Sequence, residues 1–157
     1  IDMAILALPI DDRSLVEVPL FEEALMLVRP ASEAQTPVPN RDSLRDMRLL
    51  MLEEGHCFRE QALSFCDMRG VRQREGLDGS SLSTLVQMVG AGIGITLIPE
   101  MAVPVETKAA PVCVGRFAAP EPVRTVGMIW RKTNPLDAQF RDVAEIVKQA
   151  AVGNTLP

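Results

Sequence analysis

Short apolar runs, each too brief for a core helix and each closed by proline, glycine or charge, most narrow what this chain can fold into. The run at Met3–Leu8 is stopped by Pro9, and a run apolar throughout reads as a strand buried on both faces. Residues 15–18 and 20–28 read as two further strands, the second ending at Arg29 and Pro30. Residues 49–52, 95–98, 112–114 and 125–130 read as strands as well. Helical periods lie between them. Over residues 57–69, Phe58, Ala62, Phe65, Cys66 and Arg69 share one face, and Gly70 supplies a stop. Ser80 or Ser81 can cap a second helix whose apolar positions are Leu82, Leu85, Val86 and Val89. A third spans residues 135–151, with Phe140, Val143, Ala144 and Val147 on one side. Residues 31–40, with Pro37 and Pro39, read as loop, and residues 53–56 as a strand-to-helix turn. Strands alternating with helices imply an α/β fold with mostly parallel sheets.

The chain has 157 residues, room for one domain or two small lobes, and 47% of them are hydrophobic, enough for a packed core rather than disorder. A net charge of −5, without a basic helix or zinc-finger spacing, argues against direct nucleic-acid binding. The longest apolar region, residues 86–99, is broken by Gly90, Gly92 and Gly94 and falls short of a membrane span. The first ten residues lack the basic flank and cleavage site of a signal peptide. They read as a strand that begins without run-in, so the chain is expected to be a fragment of something longer.

Cys57, Cys66 and Cys113 are the three cysteines. Without a secretion signal they point to a reducing, cytoplasmic setting, where paired thiols are more often redox-active or metal-binding than structural. Cys57 and Cys66 are nine residues apart. On one α-helix that spacing gives a rise of roughly 13 Å and places them on opposite sides. A disulfide needs Cα atoms within roughly 7 Å, so the pair can bond only if the segment between them unwinds. Cys57 falls at the expected helix start, where free N–H groups and the macrodipole favour a thiolate, and His56 and Arg59 add positive potential. Cys66, on the apolar face, suits the resolving role of a thiol that meets a sulfenic acid. Two ordinary buried cysteines fit the same residues. Cys57, Cys66 and His56 do not have the spacing of a zinc site.

Other features read more plainly. The glycines at 90, 92 and 94 follow a helix and open a strand, the reverse of a dinucleotide loop, and suit a tight turn. Ser80, Ser81 and Thr84 at a helix start suit capping, with a small anion as the alternative. Cys113 and Trp130 read as core.

Residues 50–57 (LMLEEGHC), followed by Arg59, Gln61, Phe65 and Cys66, resemble the redox segment of the peroxide-sensing LysR-type transcription regulators. Ser81, Leu82 and Thr84, with Met88, Val89, Ala91, Gly92, Gly94 and residues 95–99, resemble the helix and glycine turn of LysR-type effector domains more widely. Pro120, Glu121, Pro122, Arg124 and Thr125 fit the same pattern, and the likeness covers roughly residues 1–151. It implies a periplasmic-binding-protein-like domain of two Rossmann-like lobes, with residues 21–126 as lobe II and residues 1–20 and 127–157 as an incomplete lobe I. The DNA-binding helix-turn-helix would lie outside this chain, and the lobe I sheet would expose an edge able to pair with a neighbour. The resemblance implies Cys57 as the peroxidatic thiol and Cys66 as the resolving one. It places His56, Arg59 and Arg124 near the reactive sulfur, with Arg124 polarising peroxide or fixing the loop. Glu60 stands where an aspartate is usual. Ser80, Ser81 and Thr84 fall in the effector cleft. The implied signal is hydrogen peroxide and the implied assembly a homodimer or homotetramer. DNA and RNA polymerase would be met only through the full-length protein, and glutaredoxin or thioredoxin are candidate reductants. No cofactor, metal or membrane is implied. A LysR-type sensor of a small metabolite, with incidental cysteines, and a thiol peroxidase are the alternatives.

Overall fold

The computed structural model describes residues 2–53, 57–65 and 78–153. Its elements run β1 (Met3–Leu8), β2 (Leu15–Pro30), α1 (Cys57–Phe65), α2 (Leu82–Gly90), β3 (Thr96–Pro99), α3 (Val103–Glu106), β4 (Val112–Gly115), β5 (Val123–Arg131) and α4 (Asp137–Gly153). The chain divides into two compact units, residues 1–23 with 123–157, and residues 24–122. It crosses from the first to the second within β2 and returns at the start of β5.

In the first unit the strand order is β1-β5-β2. β1 and β5 are antiparallel, with Met3 opposite Trp130 and Ile5 opposite Met128. Opposed residues share a face. Trp130 and Met128 are buried against Phe140 and Ala144 of α4, together with Leu20. Met3 and Ile5, on the same face, are 37% and 52% exposed. Trp130 donates from Nε1 to Asp137 Oδ1 at 2.9 Å, tying the end of β5 to the first residue of α4. Asp137 is held below the usual carboxylate range, first by its hydrogen bond from Arg141 and then by the one from Trp130.

In the second unit β2 is flanked by β3 and β4, both antiparallel to it. Residues 49–52, expected as a strand, form two isolated parallel bridges, Leu49 to Ile95 and Leu52 to Gly79. Leu49, Leu50, Met51 and Leu52 are buried in a cluster that also takes Leu27, Val28, Leu85, Val86, Val89 and Ile98. Two expectations need correction. The mostly parallel sheet is not seen among the described residues: the β1–β5, β2–β3 and β2–β4 ladders are antiparallel, and Leu49–Ile95 and Leu52–Gly79 are isolated parallel bridges. The two strands expected over residues 15–28 are one, since β2 runs through Pro19. Proline lacks a donor but its φ suits extended backbone, and Pro19 lies at an exposed position of the strand.

The turn after α2 shows why the glycines are there. Gly92 N–H bonds Val89 C=O at 2.9 Å and Ile93 N–H bonds Met88 C=O at 3.1 Å, the paired bonds of a Schellman stop. Gly92 has φ +76°, which glycine adopts freely. At Gly94 a Cβ would stand 2.4 Å from Arg48 O, so only glycine lets the turn pass residues 48–50.

Candidate functional site

The backbone of residues 48–53 is bonded on both sides. Leu50 N–H reaches Ile95 O at 2.8 Å, and Gly79 N–H reaches Met51 O at 2.9 Å. Thr96 Oγ1, fully buried, donates to Leu50 O at 2.9 Å. Beyond this hydrogen-bonded segment, α1 opens on Cys57. Phe58 and Ala62 are its buried face, one turn apart, as the helical period requires. Arg59 fastens the first turn: Nη1 donates to Leu52 O at 2.5 Å and pairs with Asp78 Oδ2 at 3.0 Å. Its side chain is 15% exposed, so the charge is largely withdrawn from water and held by two acceptors.

Gln61 lies one turn beyond Cys57. Its Oε1 is buried with no hydrogen-bond partner among the described residues, an acceptor left over beside the expected redox position. Glu60 is exposed in the first turn. At the far end of α1, Arg41 Nη2 donates to Ser64 O at 3.3 Å, and its guanidinium lies 5.4 Å from the centroid of the Phe65 ring. His56 and Cys66 lie outside the described residues, as do the expected helix continuation to Arg69 and the stop at Gly70.

Ser81 is the N-cap of α2: its Oγ accepts from Thr84 N–H at 3.2 Å and lies 3.0 Å from Thr84 Oγ1. Ser80, Ser81 and Thr84 are all exposed. Cys113 is in β4, half-buried, with its thiol donating to Pro30 O at 3.3 Å. Arg124 belongs to the first unit, where both Nε and Nη2 stand 2.7 Å from Glu23 Oε2. Glu23 is nearly buried, at 5% side-chain exposure, so the pair is a charged contact largely screened from water. Among the described residues no three histidine, cysteine or acidic side chains are grouped to hold a metal ion, and no helix is long and apolar enough to cross a membrane.

Gln61, Asp78 and Arg41 were not singled out as site residues from sequence. Gln61 carried a signal, four places after Cys57 on a helix. Asp78 and Arg41 carried none, because they reach α1 through tertiary contacts.

Two units between which the chain passes within β2 and again before β5, one of them carrying the helix that opens on Cys57, make up an effector-type α/β domain. The model of the LysR substrate binding domain matches residues 1–152, and the chain belongs to that family. Within the family its relatives include OxyR and proteins named hydrogen peroxide-inducible genes activators. It is 39% identical over 159 residues to the DNA-binding transcriptional dual regulator OxyR of Escherichia coli, covering 98% of this chain and 51% of that protein. It is 37% identical over 153 residues to a probable hydrogen peroxide-inducible genes activator of Mycobacterium avium, covering 94% and 48%. The chain thus spans about half the length of these curated relatives. The reduced OxyR regulatory domain of Pseudomonas aeruginosa superposes with TM-score 0.78 at 32% identity, covering 94% of this chain and 72% of that one. A hydrogen-peroxide-bound mutant OxyR of Corynebacterium glutamicum gives TM-score 0.84 at 29% identity, covering 100% and 54%. The two-lobed, periplasmic-binding-protein-like fold is thereby shared with OxyR regulatory domains.

Proposed function

We propose that this chain is the peroxide-sensing regulatory part of a LysR-type transcription regulator, switched by a reversible disulfide between Cys57 and Cys66. The observation that carries this reading is the position of Cys57. It opens α1, with Arg59 in the same turn anchored to Leu52 and Asp78. The N–H groups of a helix start and a fixed guanidinium both favour a thiolate. In the proposed reaction the Cys57 thiolate attacks one peroxide oxygen. An S–O bond forms, the O–O bond breaks, and the departing hydroxide is protonated to water. The Cys66 thiolate then attacks the sulfenic sulfur; an S–S bond forms and the S–O bond breaks, releasing hydroxide. The thiol pair loses two electrons, and a dithiol such as glutaredoxin or thioredoxin returns them. Gln61, with its spare acceptor, suits a hydrogen bond from the peroxide. His56 supplies further positive potential, Glu60 stays in solvent, and Arg124 has its orientation set by Glu23.

Nine residues cannot bring the sulfurs together while α1 is intact, so oxidation entails unwinding it, and that rearrangement is the signal. The sensing lobe is residues 21–126. Lobe I takes residues 1–20 and 127–157. The protein works in the cytoplasm as a homodimer or homotetramer, reaches DNA and RNA polymerase through its full-length form, and signals rather than turns over. The rival reading, a small metabolite in the cleft at Ser80, Ser81 and Thr84, finds the Ser81 hydroxyl already engaged in capping α2.

A sulfenic-acid trap tests this. With dimedone present, the Cys66→Ser chain treated with one equivalent of peroxide is expected to carry one adduct on Cys57, and Cys57→Ser none. An adduct on Cys113 in place of Cys57, or none anywhere, refutes it.

A further inference from the structure

Resting on that redox reading, we infer that Arg41 and Phe117 form a latch on the end of α1. The latch sets how readily the helix is released, and hence how fast an oxidised Cys57 is resolved. α1 has nine residues, too few to be stable alone in water, so its persistence depends on what holds it to the rest of its unit. Phe58 and Ala62 bury its middle and Arg59 fastens its start. The far end is gripped from outside by two residues distant in sequence. Arg41, at the head of a 3-10 turn, donates to the Ser64 carbonyl at 3.3 Å and lays its guanidinium 5.4 Å from the Phe65 ring centroid. Phe117, buried in the core, meets Phe65 edge-on, with centroids 5.2 Å apart and planes at 62°.

Phe65 is thus held between a cation and an aromatic ring, and it is the residue immediately before Cys66. Unwinding α1 from its far end carries Phe65 out of both contacts. Arg41 is exposed, so its grip is screened by solvent and modest. That is what a releasable contact requires: strong enough to hold the helix in the thiol state, weak enough to yield once a sulfenic acid forms.

The experiment uses the whole chain, unsubstituted and as Arg41→Ala, Arg41→Lys and Phe117→Leu. Amide exchange of residues 57–65 is followed in the thiol form by mass spectrometry, and the two oxidation steps are separated by rapid quench. Arg41→Ala is expected to speed exchange across α1 and the peroxide-independent disulfide step by the same factor, about three- to tenfold, with sulfenic acid formation unchanged within about twofold. Arg41→Lys should fall between, since a lysine keeps the charge without the planar fork, and Phe117→Leu should shift both quantities in the same direction. Unchanged exchange in Arg41→Ala overturns the latch, whatever the thiols do. Faster exchange with an unchanged disulfide step overturns its part in switching. If the unsubstituted chain forms no Cys57–Cys66 disulfide, the redox reading fails and the switching role with it, while exchange still decides whether the latch exists.

Discussion

Replacing Arg59 with alanine probes the start of α1 most sharply. The guanidinium is part-buried and meets two acceptors, Leu52 O and Asp78 Oδ2. A hydrogen bond from a charged donor is worth about 1.5–3 kcal/mol, and Leu52, only 6% exposed, would be left with its carbonyl poorly solvated. Asp78 is 31% exposed, so the ion pair adds no more than about 0.2–1 kcal/mol after solvent screening. The loss expected for Arg59→Ala is therefore about 2–3 kcal/mol. Arg59→Lys should lose about half, because lysine keeps the charge but not the planar guanidinium whose Nη1 now meets both oxygens. Urea unfolding of the reduced chain, followed by circular dichroism, gives the stability. The alkylation rate of Cys57 at neutral pH, with Cys66 and Cys113 replaced by serine, gives the reactivity. Arg59→Ala is expected to lower both. A stability loss under about 0.5 kcal/mol would show that the guanidinium does not anchor the helix. An unchanged alkylation rate would show that it does not favour the thiolate.

Three other outcomes follow from contacts elsewhere. Glu23→Ala removes the carboxylate that Arg124 Nε and Nη2 both meet and should cost about 1–3 kcal/mol in equilibrium unfolding, whereas Glu23→Gln, which keeps an acceptor, should cost less. Gly94→Ala drives a Cβ against Arg48 O and should cost about 1–3 kcal/mol, while Gly92→Ala, with open space but a positive φ, should cost less, both read from melting curves. Asp137 has a lowered pKa in the folded chain, so its contribution is present above the unfolded value of 3.8 and is lost as pH falls through the lower folded value. Trp130, the chain's one tryptophan, should report that loss as an acid-side change in emission that Asp137→Asn abolishes.

Much of this architecture was legible in the sequence because local period and burial agreed. α2 buries Leu85, Val86 and Val89, as its spacing requires, and α4 buries Phe140 and Ala144. The glycine turn was readable because a helix stop and a close approach each demand glycine at a defined place. Strand direction was not readable. Alternation of strands and helices favours parallel sheets, yet β2 takes β3 and β4 antiparallel, because its partners are chosen by chain crossings that leave no local mark. Pro19 misled for a similar reason: it looks like a break unless the strand's exposed positions are known. At the candidate site, the start of α1 at Cys57 was legible from the local pattern of residues. Arg41, Asp78 and Glu23 were not, since each acts on a partner that only folding brings near.

Non-reducing peptide mapping after one equivalent of hydrogen peroxide decides whether these two cysteines form the switch. A single new cross-link is expected between the peptides bearing Cys57 and Cys66, reversed by a dithiol. A link from Cys57 to Cys113, or no disulfide at all, would contradict it.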